Sequence, residues 1–221
     1  MNPLTSRRTV LAASVLAAFL LPVAPAMAHQ GHIVAQTSAP APAKVAETSA
    51  ALRDLWVGHV FWVRNVVVET LARNEAARAA AESEVVANAK QIAAAIEPYY
   101  GKAASDKFFE LLAGHYGAVK QYLEATEAGS QAKQDAATKA LTENATGIAR
   151  FLSGANPNLP FDTLQGLLLA HGGHHIAEIQ ELKAHKYTQE GQTWAAMKQH
   201  MYVIADALAG AIAKQFPAKF A

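Results

Sequence analysis

Apolar residues recur every three or four positions along most of the chain from Val45 onward, which is the spacing of side chains on one face of an α-helix. Glycine, proline, asparagine and serine residues interrupt this pattern and divide it into six predicted helices. These helices cover about residues 45–70, 76–96, 103–128, 131–152, 161–186 and 189–215. The sequence lacks segments that alternate apolar and polar residues as half-buried strands do.

The predicted fold class is therefore all-α. We expect an antiparallel bundle of four to five long helices joined by short loops, with an additional alanine-rich helix at residues 76–96. The sequence shows no convincing internal repeat. Residues 45–221 are predicted to form one helical bundle domain.

The first 44 residues do not follow the helical pattern. Arg7 and Arg8 precede a short apolar run, and Ala26-Met27-Ala28 has the small residues of a signal-peptide cleavage site. Residues 1–28 are thus predicted to be a signal peptide, and the adjacent arginines fit either a general export signal or a twin-arginine signal. The Pro/Ala-rich residues 29–44 are predicted to be a flexible linker, in which cleavage would make His29 an N-terminal copper candidate.

Charge and hydropathy restrict the partners and the location. Without residues 1–28 the chain has 17 basic residues, because Arg7 and Arg8 leave the total of 19, against 18 acidic residues. A basic surface for nucleic acid is therefore not expected. No second apolar stretch reaches the ~18 residues that span a bilayer, so we expect no membrane insertion after signal removal. The sequence predicts a soluble periplasmic or secreted protein.

Polar residues occur near the middles of several predicted helices, at positions that the apolar pattern assigns to the inner face. Mid-helix residues of a bundle lie at similar heights and would meet in one layer. Burying such groups without partners costs about 1–3 kcal/mol each, which a shared metal ion or a hydrogen-bond network would offset. The candidate metal ligands are His59, His115, Asn144, His171, His175, Glu178 and His200.

The fifth predicted helix, residues 161–186, carries the densest group of candidates. His171, His174, His175 and Glu178 have the i, i+3, i+4, i+7 spacing of one helical face. His171 is the strongest ligand candidate, and either His174 or His175 completes the set, because one helix cannot easily direct both at the same ion. Glu178 is predicted to be either a ligand or an acceptor that orients a histidine.

The available ligands restrict the metal and the reaction. Neutral imidazoles with few carboxylates favour copper or zinc, with iron as a further option. Cysteine is absent, which excludes thiolate sites, and the sequence contains no Glu-x-x-His motif of di-iron bundles. Motifs of serine hydrolases, zinc peptidases and P-loop proteins are also absent.

Three functions are compatible with these observations. The first is an exported bundle that stores, buffers or handles a transition metal through interior histidines. The second is a structural or partner-binding bundle in which buried histidine and asparagine side chains form a hydrogen-bond network without metal. The third is a small metal-dependent enzyme, which the sequence favours least because no catalytic motif accompanies the histidines.

Several segments resemble a family of bacterial exported helical-bundle proteins that has no assigned activity. The most specific is Trp-x-x-His-x-x-Trp-x-Arg at residues 56–64, and the resemblance extends over about residues 50–220. The other matching pieces are Tyr99-Tyr100-Gly101, His115, Asn144-Ala145, Phe151-Leu152, Asn156-Pro157-Asn158, His171 with Glu178, Ala205-Asp206 and Gln215-Phe216-Pro217. Val63 and the pair His174-His175 depart from the family pattern. The resemblance implies His59, His115, Asn144 and His171 as the central set.

Overall fold

The computed structural model describes residues 42–221, which form six long helices and one short 3-10 turn. The helices are α1 (Pro42–Leu71), α2 (Glu75–Tyr100), α3 (Lys102–Glu127), α4 (Gln131–Ala155), α5 (Phe161–Lys183) and α6 (Tyr187–Gln215), and the turn is Pro217–Lys219. The all-α prediction is confirmed. The predicted signal peptide and most of the predicted linker lie outside the described residues, while α1 begins at Pro42, so residues 42–44 are helical.

The six helices pack in a ring. Each helix contacts the next along the chain, and α1 contacts α6. Helices α1, α3 and α5 also contact one another, so they form the centre of the bundle. The predicted count of four to five helices plus an additional one needs correction, because the alanine-rich α2 is part of the core: its Val85, Ile92 and Ile96 side chains are buried.

The bundle consists of three similar helix pairs: α1 with α2, α3 with α4, and α5 with α6. Equivalent residues of successive pairs are 56 positions apart in the sequence. The first helices of the pairs end at Leu71, Glu127 and Lys183. The second helices begin at Glu75, Gln131 and Tyr187. This regularity corrects the inference, drawn from the sequence, that the chain has no internal repeat.

The turns within the three pairs have the same backbone conformation. Their middle residues are Arg73, Gly129 and His185, with φ of 57°, 64° and 58°. In each turn the backbone amide of the following residue (Asn74, Ser130 or Lys186) donates a hydrogen bond of 2.8–3.0 Å to the carbonyl five residues before it. This is the longer of the two hydrogen bonds of a Schellman motif. Equivalent turns of equal length give the three pairs the same register.

A hydrogen bond across the middle of each pair also repeats. It connects the side chain at one position of the second helix to a carbonyl of the first helix. The three contacts are Asn88 Nδ2 to the Leu55 carbonyl at 3.0 Å, Asn144 Nδ2 to the Leu111 carbonyl at 2.9 Å, and His200 Nε2 to the Leu167 carbonyl at 2.8 Å. Gly58 and Gly114 permit the approach of the two amides, because a Cβ at either position would lie 3.0 Å from the amide nitrogen.

The apolar core consists of two main clusters. The first core cluster contains Leu52 of α1, Phe108 of α3 and Leu164 of α5, and the second contains Val66, Val119 and Ile179 of the same helices. On the inner helices most of the first-cluster residues come before the central histidines, and the second-cluster residues come after them. Among residues 42–221, none of the helices has the length and apolar character needed to cross a membrane.

Candidate metal centre

Each inner helix contributes one histidine at the same position of the repeat. His59 of α1, His115 of α3 and His171 of α5 each lie twelve residues before the end of their helix. The residues before them share a pattern, Leu-x-x-Gly-His in the first two pairs and Leu-x-x-Ala-His in the third. Because the inner helices contact one another, these three imidazoles meet at the centre of the bundle.

His175 is the fourth member of the group and has no equivalent in the other two pairs. It lies one helical turn after His171, on the same face of α5. The equivalent positions hold Val63 and Val119, both buried in the second core cluster. The third pair therefore places an imidazole where the other pairs place an apolar side chain.

The four imidazoles lie close enough together to hold one metal ion. One ligand atom from each of the four histidines lies within 4.8 Å of the others. The Nε2 atoms of His171 and His175 are 3.2 Å apart. Tetrahedral ligands at Zn–N distances of about 2.0–2.1 Å would be separated by roughly 3.3 Å. The six ring centroid distances fall between 4.5 and 5.7 Å, so no ring lies far from the group.

The four side chains are enclosed in protein. The relative exposures of His59, His115, His171 and His175 are 3%, 5%, 2% and 0%. Nε2 of His59 and Nε2 of His115 are buried and have no hydrogen-bond partner. Buried polar atoms in proteins are nearly always paired, so these two nitrogens fit ligand atoms that a cation would satisfy.

Burial lowers the pKa of all four imidazoles, because the charged form loses its solvation in the core. The pKa of His59 falls to about 3 through burial and the nearby His115, and the pKa of His115 falls to about 4 through burial. Burial, followed by the neighbouring imidazoles, holds the pKa of His171 and His175 well below 6.5. All four are therefore neutral at pH 7, which is the protonation state that binds a metal ion.

Glu178 lies beside the four histidines but outside the group. Its side chain is fully buried, and Oε2 is 3.9 Å from His175 Nδ1, which is too long for a hydrogen bond. Burial and the charge of Glu190 raise the pKa of Glu178 to about 8, although Arg64 opposes the shift. Arg64 itself pairs with Glu190, with nitrogen–oxygen distances of 2.5 and 3.0 Å. The sequence alone gives no sign that Glu190 is the partner of Arg64.

The remaining candidates occupy other positions around the site. Asn144 donates its amide to a backbone carbonyl, and His200 bonds to the equivalent carbonyl of the third pair, so neither belongs to the group of four. His174 faces α6, where its ring centroid is 5.5 Å from that of His200. Asn88, which sequence analysis missed, makes the equivalent bond in the first pair, and its spacing of 56 residues from Asn144 is the signal that identifies it.

Comparisons with protein-family models, with curated protein sequences and with solved structures found no match to this chain. The resemblance to an exported helical-bundle family therefore stays a prediction. Function has to be inferred from the arrangement of the side chains themselves.

Proposed function

We propose that this protein binds one transition-metal ion through His59, His115, His171 and His175, and that it stores, buffers or handles that ion. The observation that carries the proposal is the group of four buried histidines, each with a ligand atom within 4.8 Å of the others. Three of them occupy equivalent positions of the repeat, so the same helix-pair geometry that builds the fold also assembles the ligands.

Unpaired nitrogens favour a metal site over a purely structural network. A hydrogen-bond network would pair most of its buried members. Among the four Nε2 atoms the structure has one such contact, between His171 and His175, while those of His59 and His115 have no partner. By contrast, the side chains of Asn88, Asn144 and His200 are hydrogen-bonded. Each bonds to a backbone carbonyl of the other helix in its pair, outside the group of four histidines.

The number of ligands favours storage or handling over catalysis. Catalytic zinc sites usually keep one coordination position open for water or substrate, whereas structural sites are closed by four protein ligands. Four imidazoles would fill the tetrahedron around the ion. We therefore rank a small metal-dependent enzyme below a binding protein. Copper or zinc suits this donor set best, iron less well, and tetrahedral geometry favours zinc or reduced copper over oxidised copper.

The proposal includes antiparallel packing of neighbouring helices and export from the cytoplasm. Three-residue turns within each pair and the repeated bond across its middle support antiparallel packing. Residues 1–28 have the features of a signal peptide, which supports a periplasmic or secreted location. Cell fractionation, together with the intact mass of the mature protein, would test export, and cleavage after Ala28 is the expected result.

Elemental analysis of the mature protein, purified without a histidine tag, tests the metal proposal. We expect about one copper or zinc ion per chain, and loss of that ion in a variant with His115 and His171 replaced by asparagine. His185→Asn is the matched control, because this exposed histidine lies at a positive-φ turn that asparagine tolerates. A protein that is purified without metal, and whose melting temperature does not respond to added copper or zinc, would contradict the proposal.

A further inference from the structure

Within residues 42–221, the more polar approach to the four histidines is through the side of the bundle, where His174 and His200 are partly exposed. The first core cluster lies mainly on one side of the histidines along the bundle axis and the second on the other, so both ends present mainly apolar side chains. Between α1 and α6, the Arg64 guanidinium bonds to Glu190 and lies over the Trp194 ring, 5.8 Å from its centroid. The Arg64–Glu190 ion pair and the Trp194 ring therefore occupy this side of the bundle.

The third helix pair carries histidines that the first two pairs lack. The positions equivalent to His174 hold Trp62 and Ala118, and those equivalent to His200 hold Asn88 and Asn144. These are additional to His175, the fourth central histidine. Since the three pairs share one backbone plan, the fold does not require imidazoles at positions 174 and 200.

Geometry places the two additional histidines next to the centre, between α5 and α6. Their ring centroids are 5.5 Å apart, and both side chains are partly exposed to solvent. His174 directly precedes His175 in the chain. His200 contacts the carbonyl of Leu167, which lies one helical turn before His171, so its ring lies beside the turn of α5 that leads to the central histidines.

The hydrogen bond of His200 leaves a ligand atom available. Its Nε2 is 2.8 Å from the Leu167 carbonyl, which can only accept, so Nε2 carries the proton. In the neutral imidazole Nδ1 then carries the lone pair that binds metals. Asn88 and Asn144 make the same bond to their carbonyls without offering such a nitrogen. Histidine at position 200 thus keeps the structural bond and adds a metal ligand.

We propose that His174 and His200 form an outer, transient binding site for a transition-metal ion that moves between solvent and the four central histidines. The inference rests on the proposed function, because it names the route to that same site. An ion held by the His174 and His200 imidazoles would exchange some of its water before it moves to His171 and His175. Release would follow the same route in reverse.

Metal exchange kinetics with Co²⁺ as the probe would test this route, since a tetrahedral cobalt site absorbs visible light. Metal-free wild-type protein, His174→Ala, His200→Asn and the double variant are mixed with Co²⁺ by stopped flow. Alanine and asparagine are the residues that the second pair carries at the equivalent positions, so both variants have a precedent in the fold. His185→Asn again serves as the control.

We expect Co²⁺ uptake by the double variant to be slower by about tenfold, within the range over which association rates vary among variants of one site. Transfer to a chelator should slow by a similar factor, while the final cobalt spectrum stays that of wild type. Equal rates in wild type and the double variant would overturn the route. A changed final spectrum would also overturn it, because His174 or His200 would then be a permanent ligand. Wild-type protein that takes up no Co²⁺, Zn²⁺ or copper would instead overturn the proposed function itself.

Discussion

Replacing His175 with valine separates a metal site from a structural network. Valine is the residue at the equivalent positions 63 and 119, where it is buried in the second core cluster. The backbone and the surrounding packing of the repeat therefore accept a valine side chain at this position. Because His175 is the one central histidine without an equivalent in the other pairs, its removal leaves the three equivalent histidines in place.

Without metal, we expect His175→Val to change the free energy of unfolding by no more than about 1 kcal/mol. The substitution leaves the buried His171 Nε2 without its 3.2 Å partner, which costs about 1–3 kcal/mol. It also removes the buried His175 Nδ1, which has no partner, and relieves a penalty of about 1–3 kcal/mol. The two effects are of similar size and opposite sign, so the melting temperature without metal should stay within about 2–4 °C of the wild-type value for a domain of this size.

With metal, the same variant should lose most of the stabilisation that the ion provides. At a free metal concentration 100 times its Kd, the wild type gains about 2.7 kcal/mol, or about 5–11 °C. Loss of an outer-shell partner alone weakens metal sites by about 10–100-fold, so loss of a direct ligand should weaken binding by at least about 100-fold. The variant would then gain about 0.4 kcal/mol under the same conditions.

Thermal unfolding of both proteins, with a chelator and with buffered Zn²⁺, measures the two effects in one experiment. The metal hypothesis predicts that the variant melts close to wild type in chelator and well below wild type in Zn²⁺. His185→Asn should melt like wild type in its response to Zn²⁺. A variant that is less stable in chelator, with a Zn²⁺ response equal to that of wild type, would refute the reasoning and favour a hydrogen-bond network.

Three further predictions follow from contacts around the centre. Asn144→Ala should cost about 1 kcal/mol of unfolding free energy in urea titrations, while the metal content measured by elemental analysis stays unchanged, because its amide bonds to a carbonyl. Arg64→Met should cost about 2 kcal/mol in the same titrations, because it leaves the buried Glu190 carboxylate without its partner. Metal-free protein should lose stability as the pH falls below about 6.5, since the folded-state pKa values of His59 and His115 are about 3 and 4 and the unfolded chain binds more protons in this window; urea midpoints at pH 7.5, 5.5 and 4.5 would measure the loss.

Helices and central histidines could be predicted from the sequence because both depend on local spacing. The boundaries predicted for the third helix, 103–128, differ by one residue at each end from α3. Helix α5 ends at Lys183, three residues earlier than predicted, because its turn at His185 contains neither glycine nor proline and gives no sequence signal. Helix α2 continues through Pro98 to Tyr100 and ends before Gly101, whose φ is 81°.

The internal repeat could not be recognised from the sequence because the three pairs share helix and turn lengths but very few identical residues. Equivalent core positions accept any apolar side chain of suitable size, as Val85, Leu141 and Met197 illustrate. What the pairs do share is the spacing of 56 residues between their Leu-x-x-Gly/Ala-His segments and between the polar residues that bond across each pair. Asn144 and His200 were predicted as ligands because they also lie near the middles of their helices. They are on the second helix of their pairs, where they bond to a carbonyl of the first helix.

If the four central histidines bind one ion, as we propose, threefold repetition explains why one helix pair differs from the others. Three equivalent positions on the inner helices can supply three ligands, whereas a tetrahedral ion takes four. A fourth ligand must come from one pair alone, and a residue four positions after the central histidine lies on the same face and reaches the same ion. Only the third pair has a histidine there, at position 175, and the same pair also carries Glu178, His174 and His200. The departure from symmetry is therefore concentrated where a symmetric scaffold would leave the metal incompletely bound.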